Sequence, residues 1–165
     1  MRYRKMKKKI PEFSILGFGC MRLPLTDSGQ INEDQATEMI RYAIDNGVNY
    51  IDTAYPYHNG ESEPFVGRAL ADGYREKVHL ATKLPSWLIE SREDMDKYFD
   101  EQFTRIRTDH IDFYLVHGLI RPFWEKLSAL GVTDFLDDAI ADGRIRYESF
   151  SFHDMTKIFK KIVKA

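Results

Sequence analysis

Short apolar runs alternate with amphipathic segments along the whole chain, and this alternation constrains the fold more than any other feature. Five runs are predicted to be strands, at residues 15–21, 48–54, 78–84, 111–117 and 145–152. Between them, apolar residues recur at intervals of three and four, which is typical of helices that cover a core on one side. Strands that alternate with helices predict an α/β fold, in which a parallel sheet has right-handed crossover connections.

Residues that cap helices predict where several of these helices begin. Asn32 precedes two acidic residues and an amphipathic stretch, so we expect it to be an N-cap. Ser62 is expected to cap the second helix. Ser91 and Asp94 match a capping box, in which each side chain binds the backbone N–H of the other.

The length of the chain limits how much of such a fold it can build. The 165 residues, 43% of them hydrophobic, suffice for one domain with a real core. A complete (β/α)8 TIM barrel needs about 250 residues. We therefore predict a parallel βα-repeat, a partial barrel of about five units, in a single truncated domain over residues 1–165. A basic N-terminal hairpin or arm at 1–13 and a lysine-rich closing helix at 153–165 flank these units.

Charge and cysteine content argue against several kinds of partner. The formal net charge is −2, and six of the first nine residues are basic on an otherwise acidic chain. That distribution is not typical of a nucleic-acid surface. Cys20 is the single cysteine, which excludes a multi-cysteine metal site within one chain, and we predict no metal. No apolar stretch approaches the roughly 18 residues of a membrane span. We expect a cytoplasmic location, the alternative being export through residues 13–20 as a short apolar signal region.

Polar side chains lie at the carboxyl ends of three consecutive predicted strands. Asp52 ends the second strand and Tyr57 follows it, Lys83 ends the third strand, and His117 ends the fourth. The reactive edge of a parallel α/β fold is where its strands end. Taken singly, each residue also fits a structural role, such as a loop acceptor for Asp52 or a packing aromatic for Tyr57. Together they predict a site.

These residues lie within motifs that resemble the aldo-keto reductase family. The motifs are LGFGCM at 16–21, IDTAYPY at 51–57 with Glu61 and GRAL at 67–70, TK at 82–83, and DHIDFYLVH at 109–117. They cover about residues 10–155, and the sequence is most similar to the microbial branch of predicted oxidoreductases.

The resemblance implies a catalytic tetrad of Asp52, Tyr57, Lys83 and His117. The reaction would be hydride transfer between NADP(H) and a small-molecule carbonyl substrate, with the cofactor carrying the hydride. Tyr57 would be the general acid/base and Lys83 would stabilise its phenolate. Asp52 would hold Lys83, and His117 would orient the carbonyl oxygen.

The resemblance also implies a cofactor site that this chain supplies only in part. The positions that would contact the cofactor are Gly19, Cys20, Met21, Asp52 and Ser151. The chain has about five of the family's eight units. The later units would provide the ring that stacks on the nicotinamide and the basic loop that holds the adenosine phosphate. In the fifth strand, Glu148 and Ser149 are unusual for a buried parallel strand.

Three accounts of the short chain stay open. The chain is a fragment of a larger reductase whose C-terminal half is missing, a stable short form whose five units assemble into an open sheet or make a homodimer through their edges, or an active small reductase. The function is then an oxidoreductase activity impaired by truncation or, alternatively, that of an inactive assembly or interaction module. A lyase or isomerase that uses the same site is a third class.

Overall fold

A five-stranded parallel sheet organises the structure, a computed structural model that describes residues 1–5 and 11–164. Its strands are adjacent in the order in which they occur in the chain. An antiparallel hairpin precedes them. The strands of the hairpin are β1 (Tyr3–Lys5) and β2 (Glu12–Ser14), and those of the sheet are β3 (Phe18–Gly19), β4 (Tyr50–Asp52), β5 (His79–Leu84), β6 (Ile111–Leu119) and β7 (Ile145–Phe152).

Helices connect the successive strands of the sheet. They are α1 (Glu33–Asp45), α2 (Ser62–Ala69), α3 (Arg92–Ile106), α4 (Arg121–Ala129), α5 (Val132–Ala141) and, after β7, α6 (Thr156–Ile162). Three 3₁₀ turns lie at Cys20–Arg22, Tyr57–Gly60 and Arg75–Lys77. A doubly wound sheet reverses its strand order, whereas a barrel keeps it. The sequential order therefore confirms the predicted α/β fold as part of a (β/α)8 barrel.

Two of the three predicted helix caps are confirmed. Asn32 Oδ1 accepts a hydrogen bond from the Gln35 N–H at 3.3 Å, and Ser91 forms a capping box with Asp94. The prediction for Ser62 is wrong, because Ser62 is the first residue of α2 and Glu61 occupies the cap. Ser62 is fully buried, and its hydroxyl binds core groups instead of the helix end.

The first strand is shorter than the predicted range 15–21. Only Phe18 and Gly19 pair with β4, and residues 20–22 form a 3₁₀ turn. The Ser14 hydroxyl donates to the Leu16 carbonyl at 2.6 Å, which turns the chain before the strand begins. The predicted N-terminal hairpin is present as β1 and β2, while the basic residues at 7–9 lie outside the described residues.

The helices cover one face of the sheet and leave the other partly open. In β6, Asp112, Tyr114 and Val116 are buried, whereas Phe113, Leu115 and His117 alternate with them and are only partly buried. Two apolar clusters lie on the covered face. We call the other face of the sheet, which carries Phe113 and His117, the inner face.

Aromatic side chains cover the inner face near the N-terminal ends of the strands. Phe13 of the hairpin makes edge contacts with the rings of Tyr50, His79 and Phe113. Phe113 in turn stacks on Tyr147 of β7, with ring centroids 4.9 Å apart. The opposite, C-terminal end of the inner face is where the predicted site residues lie. Glu148 of β7, unusual for a buried strand, is exposed.

Candidate active site

Lys83 is the centre of the site, and its ammonium group joins three neighbours. Its Nζ donates to Asp52 Oδ1 at 2.7 Å, to the Thr53 carbonyl at 2.7 Å and to Tyr57 Oη at 3.3 Å. The side chain is only 6% exposed. An ammonium has three N–H donors, and each has an acceptor here, so its position is defined. Three of the four predicted catalytic residues are thus in direct contact.

The alignment of β4 with β5 explains this contact. Asp52 lies opposite Ala81 in the parallel ladder, so the side chain two residues beyond Ala81 points to the same face as Asp52. Lys83 occupies that position. Burial of its ammonium group would be unfavourable without a partner of opposite charge, and the Asp52 carboxylate is that partner.

His117 of β6 lies beside Tyr57, and the centroids of the two rings are 6.1 Å apart. Burial lowers the pKa of His117 to about 4, and the charges of Lys83 and His153 act in the same direction. The ring is therefore neutral at pH 7 and carries one N–H. Its Nδ1 is buried and makes no hydrogen bond within the described residues.

Trp87 is a neighbour of the site that sequence reasoning missed. Its ring lies edge-on to His117, with centroids 5.2 Å apart, and its side chain remains 37% exposed. The signal in the sequence that could have indicated it is a tryptophan just after the strand that ends at Leu84. Such a residue can contact a ligand on the open inner face.

The loop that carries Tyr57 has an unusual backbone. His58 and Asn59 have positive φ angles of 53° and 55°, which residues other than glycine rarely adopt. The His58 ring accepts a hydrogen bond from the Leu23 N–H at 3.1 Å. Arg105 of α3 donates to the Gly60 carbonyl at the end of the same loop. These two contacts hold the backbone that directly follows Tyr57.

A buried polar network behind the site was also missed. Glu63 Oε1 accepts hydrogen bonds from Thr82 Oγ1 at 2.6 Å and Gln102 Nε2 at 2.5 Å. Burial raises the pKa of Glu63, while these bonds and the charge of Arg105 oppose the shift. Gln102 also donates to the Lys83 carbonyl at 3.1 Å. The signal for Gln102 was a polar residue on the same helical face as Met95, Phe99 and Ile106.

The predicted cofactor contacts in the first strand differ in their exposure. Gly19 lies beside Asp52 in the ladder, and a Cβ there would have no neighbour within 4 Å. Met21 is 57% exposed, whereas Cys20 is fully buried. Burial raises the pKa of the Cys20 thiol to about 12, and the Asp52 charge adds to the effect. The thiol is thus neutral and faces the core, so a contact from Cys20 would come from its backbone.

Ser151 lies next to the strand end that carries His117. Its Oγ accepts a hydrogen bond from the Gly118 N–H at 2.7 Å. The hydroxyl proton of Ser151 is then available for a further acceptor. Within residues 1–5 and 11–164, Ser151 therefore combines a fixed position with a hydroxyl proton that has no acceptor.

The part of the chain that the structure describes has neither a metal cluster nor a membrane-spanning helix. Within residues 1–5 and 11–164, no three His, Cys, Asp or Glu side chains are grouped so that they could hold a metal ion. No helix in those ranges is both long and apolar enough to cross a membrane. The chemistry of the site consists of a phenol, an ammonium, a carboxylate and a neutral imidazole on an open face. That set can exchange a proton with a bound oxygen atom.

Comparison with known proteins gives consistent results. The model of the aldo/keto reductase family matches residues 15–165. Aldo-keto reductase YhdN of Bacillus subtilis is 34% identical over 157 residues, which cover 82% of this chain and 47% of the relative. Methylglyoxal reductase YeaE of Escherichia coli is 31% identical over 165 residues, which cover 94% of this chain and 54% of the relative.

Solved structures resemble the chain over nearly its whole length. An aldo-keto reductase from Bacillus halodurans in its holo form has 30% identity and a TM-score of 0.77, covering 99% of this chain and 54% of that one. An aldo-keto reductase from Klebsiella pneumoniae in complex with NADPH has 26% identity and a TM-score of 0.74, covering 93% and 50%. The chain thus spans about half the length of the relatives that it matches.

Proposed function

Because the chain belongs to the aldo-keto reductase family, we propose that it is an NADP(H)-dependent oxidoreductase module that interconverts a small-molecule carbonyl and an alcohol. Asp52, Tyr57, Lys83 and His117 are its catalytic residues. The observation that carries the proposal is the position of Lys83 Nζ between Asp52 Oδ1 and Tyr57 Oη. It places a fixed positive charge against the phenol oxygen that exchanges a proton.

In the direction of reduction, Tyr57 gives its proton to the oxygen of the carbonyl. Lys83 donates to the Tyr57 oxygen, which leaves the phenol O–H directed elsewhere and stabilises the negative charge that remains on the phenolate. Asp52 balances the charge of Lys83 and keeps it in place. The neutral His117 donates its N–H to the carbonyl oxygen and orients it. In the direction of oxidation, the Tyr57 phenolate takes the proton back.

The residues near the site fit one end of the proposed cofactor. NADP(H), when bound, supplies or accepts the hydride. The free hydroxyl proton of Ser151 suits an amide oxygen, and the bare backbone at Gly19 permits close approach of a ring. Met21 is exposed beside them, and Asp52 completes the set. The relatives are about twice as long as this chain, so these residues account for only part of a whole cofactor site.

A small aldehyde or 2-oxoaldehyde is the substrate class that we propose, since one relative is a methylglyoxal reductase. We also propose a cytoplasmic location, because the one cysteine is buried and reduced. Both parts of the proposal depend on family likeness and on Cys20, not on the geometry of the tetrad.

Cofactor binding and turnover test the proposal in sequence. Titration with NADPH, followed by fluorescence, is expected to show binding, and methylglyoxal is then expected to cause NADPH oxidation. Tyr57→Phe should bind NADPH as the wild type does and lose at least about 10²-fold in turnover. Turnover that is unchanged in Tyr57→Phe would contradict the role of Tyr57.

An inactive assembly or interaction module is the second candidate. The observation that favours it is that β3 and β7 each have only one neighbouring strand within residues 1–5 and 11–164. Such sheet edges pair readily with other strands. Absence of NADPH binding at millimolar cofactor would support this candidate against the first.

A further inference from the structure

The loop from Tyr55 to Gly60 needs outside support to keep its shape. His58 and Asn59 in this loop have positive φ angles, a conformation that is strained for residues other than glycine and persists only where surrounding contacts hold it. Tyr57 lies inside this loop, whereas its partner Lys83 lies on β5. The distance between Tyr57 Oη and Lys83 Nζ therefore depends on how the loop is held against the strand.

Arg105 of α3 contacts the loop on both sides of Tyr57. Its guanidinium donates to the Gly60 carbonyl and, at 3.5 Å, to the Tyr55 carbonyl. The same guanidinium lies 4.4 Å from the centre of the Tyr55 ring. Arg105 is only 16% exposed, so these contacts are shielded from water.

Glu63 links Arg105 to the strand that carries Lys83. Its Oε2 lies 3.0 Å from Arg105 Nε. The two groups form an ion pair, but their orientation does not allow a hydrogen bond between these two atoms. Its Oε1 accepts from Thr82, the residue before Lys83, and from Gln102. Gln102 also donates to the Lys83 carbonyl. One fully buried carboxylate thus connects the support of the Tyr57 loop with the backbone of the Lys83 strand.

We propose that Arg105 and Glu63 are positioning residues, which hold the Tyr57 loop against β5 and so set Tyr57 Oη relative to Lys83 Nζ. The expected effect on turnover rests on the proposed function, whereas the expected effect on the position of Tyr57 does not. Neither residue contacts the reacting atoms. The planar guanidinium fork of Arg105 contacts the carbonyls of Tyr55 and Gly60 and the carboxylates of Glu63 and Glu101 from three separate nitrogens. The single nitrogen of a lysine ammonium would not reproduce this spread of contacts.

The test is Arg105→Lys, which keeps the charge and removes the fork. In protein labelled with ¹³C at tyrosine Cζ, the Tyr57 resonance is identified as the one that Tyr57→Phe lacks. We expect Arg105→Lys to remain folded by circular dichroism, to shift the Tyr57 resonance and to change its pH titration. We also expect kcat to fall about 10- to 100-fold with KM little changed, and the pH profile of kcat to move.

Arg92→Lys is the matched control, because Arg92 lies on the same helix. It pairs with Asp96 and lies 4.8 Å from the Phe135 ring, away from the Tyr57 loop. It should leave the Tyr57 resonance and kcat unchanged. A folded Arg105→Lys with the same Tyr57 resonance as Arg92→Lys would overturn the proposal.

Two further outcomes are distinguished by the same measurements. A wild-type chain without turnover would contradict the proposed function, and the Tyr57 resonance would still decide whether Arg105 positions the loop. If Arg105→Lys does not fold, Glu63→Gln replaces it, because the amide oxygen can keep the bonds from Thr82 and Gln102 while the charge is removed. That variant should shift the Tyr57 resonance from its wild-type position, and an unshifted resonance would overturn the proposal.

Discussion

Gly67 in α2 and Ile106 at the end of α3 lie so close that a Cβ on residue 67 would overlap the Ile106 carbonyl oxygen. The two helices carry Glu63 and Arg105, so their separation also sets the spacing of the network behind the site. A rigid backbone atom, unlike the end of a side chain, cannot move aside without moving the helix. The glycine is needed here for space, since its φ is not positive.

Gly67→Ala is therefore expected to lower the free energy of unfolding by about 1–3 kcal/mol, even though alanine favours helices. Urea unfolding measures the change. Gly19→Ala is the control, because the Cβ there meets no atom within 4 Å, and its effect should stay within about 0.5 kcal/mol. Equal stability of the two variants would mean that α2 and α3 are not held at this distance.

Lys83→Met is expected to abolish most of the proposed activity. It removes the charge between Asp52 and Tyr57 but keeps a chain of similar length. Turnover should fall about 10²- to 10⁴-fold while the protein remains folded. The matched control is Lys77→Met, because Lys77 also pairs with an aspartate, Asp45 at 3.3 Å, and lies 4.0 Å from the Tyr74 ring. NADPH oxidation rates measured side by side decide the matter, and similar rates for both variants would exclude a catalytic role for Lys83.

That Asp52, Lys83 and His117 lie near one another was predictable from a local pattern in the sequence, whereas their catalytic roles were implied by the resemblance to the aldo-keto reductase family. Asp52, Lys83 and His117 each come at or near the end of an apolar run, and parallel strands bring such ends to one edge. The contact of Lys83 with Asp52 and Tyr57 agrees with that rule. The order of strands and helices was predictable for a similar reason, because apolar residues repeat at short intervals within each of them.

Contacts made across the fold were not predictable from the same patterns. Ser62 has the residue type and the sequence position of an N-cap, yet its hydroxyl lies in the core and binds Thr53 Oγ1 and the Cys20 carbonyl instead. Arg105 is separated by 45 residues from Gly60, to which it donates. Such bonds depend on how α2 and α3 pack, which no local spacing records.

The folded protein should lose stability between pH 7 and pH 4 because of His117. Burial, together with the charges of Lys83 and His153, lowers its pKa to about 4 from an ordinary value of 6.5. Between these values the unfolded chain takes up a proton on this ring and the folded protein does not. The free energy of unfolding therefore falls as the pH is lowered from 6.5 to 4.

Urea unfolding at pH 7 and pH 4.5 tests this assignment. His117→Gln should show a smaller decrease over this range than the wild type, because glutamine does not titrate. A slope in His117→Gln as steep as in the wild type would assign the pH dependence to other groups.

Asp112 should also make the fold less stable in acid, but over a lower pH range than His117. Its side chain is 1% exposed and lies 2.9 Å from Arg75 Nη2 and 3.0 Å from Arg146 Nη1. Burial alone would raise its pKa, but the nearby His79 ring, the hydrogen bond from the Leu80 N–H and the two arginine charges hold the pKa well below its usual range. The stabilisation is therefore present above pH 4 and declines as the pH falls towards the folded pKa.

Asp112→Asn is expected to lower the free energy of unfolding at pH 7 by about 3 kcal/mol, because it leaves two arginines facing an uncharged amide. The difference from the wild type should narrow at pH 3, because there the unfolded wild-type chain takes up a proton on Asp112 that the folded protein does not. Asp109→Asn is the control, since that side chain is 94% exposed, and its effect at pH 7 should be small. Unfolding in urea at both pH values gives the comparison. A difference between wild type and Asp112→Asn that is as large at pH 3 as at pH 7 would show that the charge of Asp112 does not stabilise the fold.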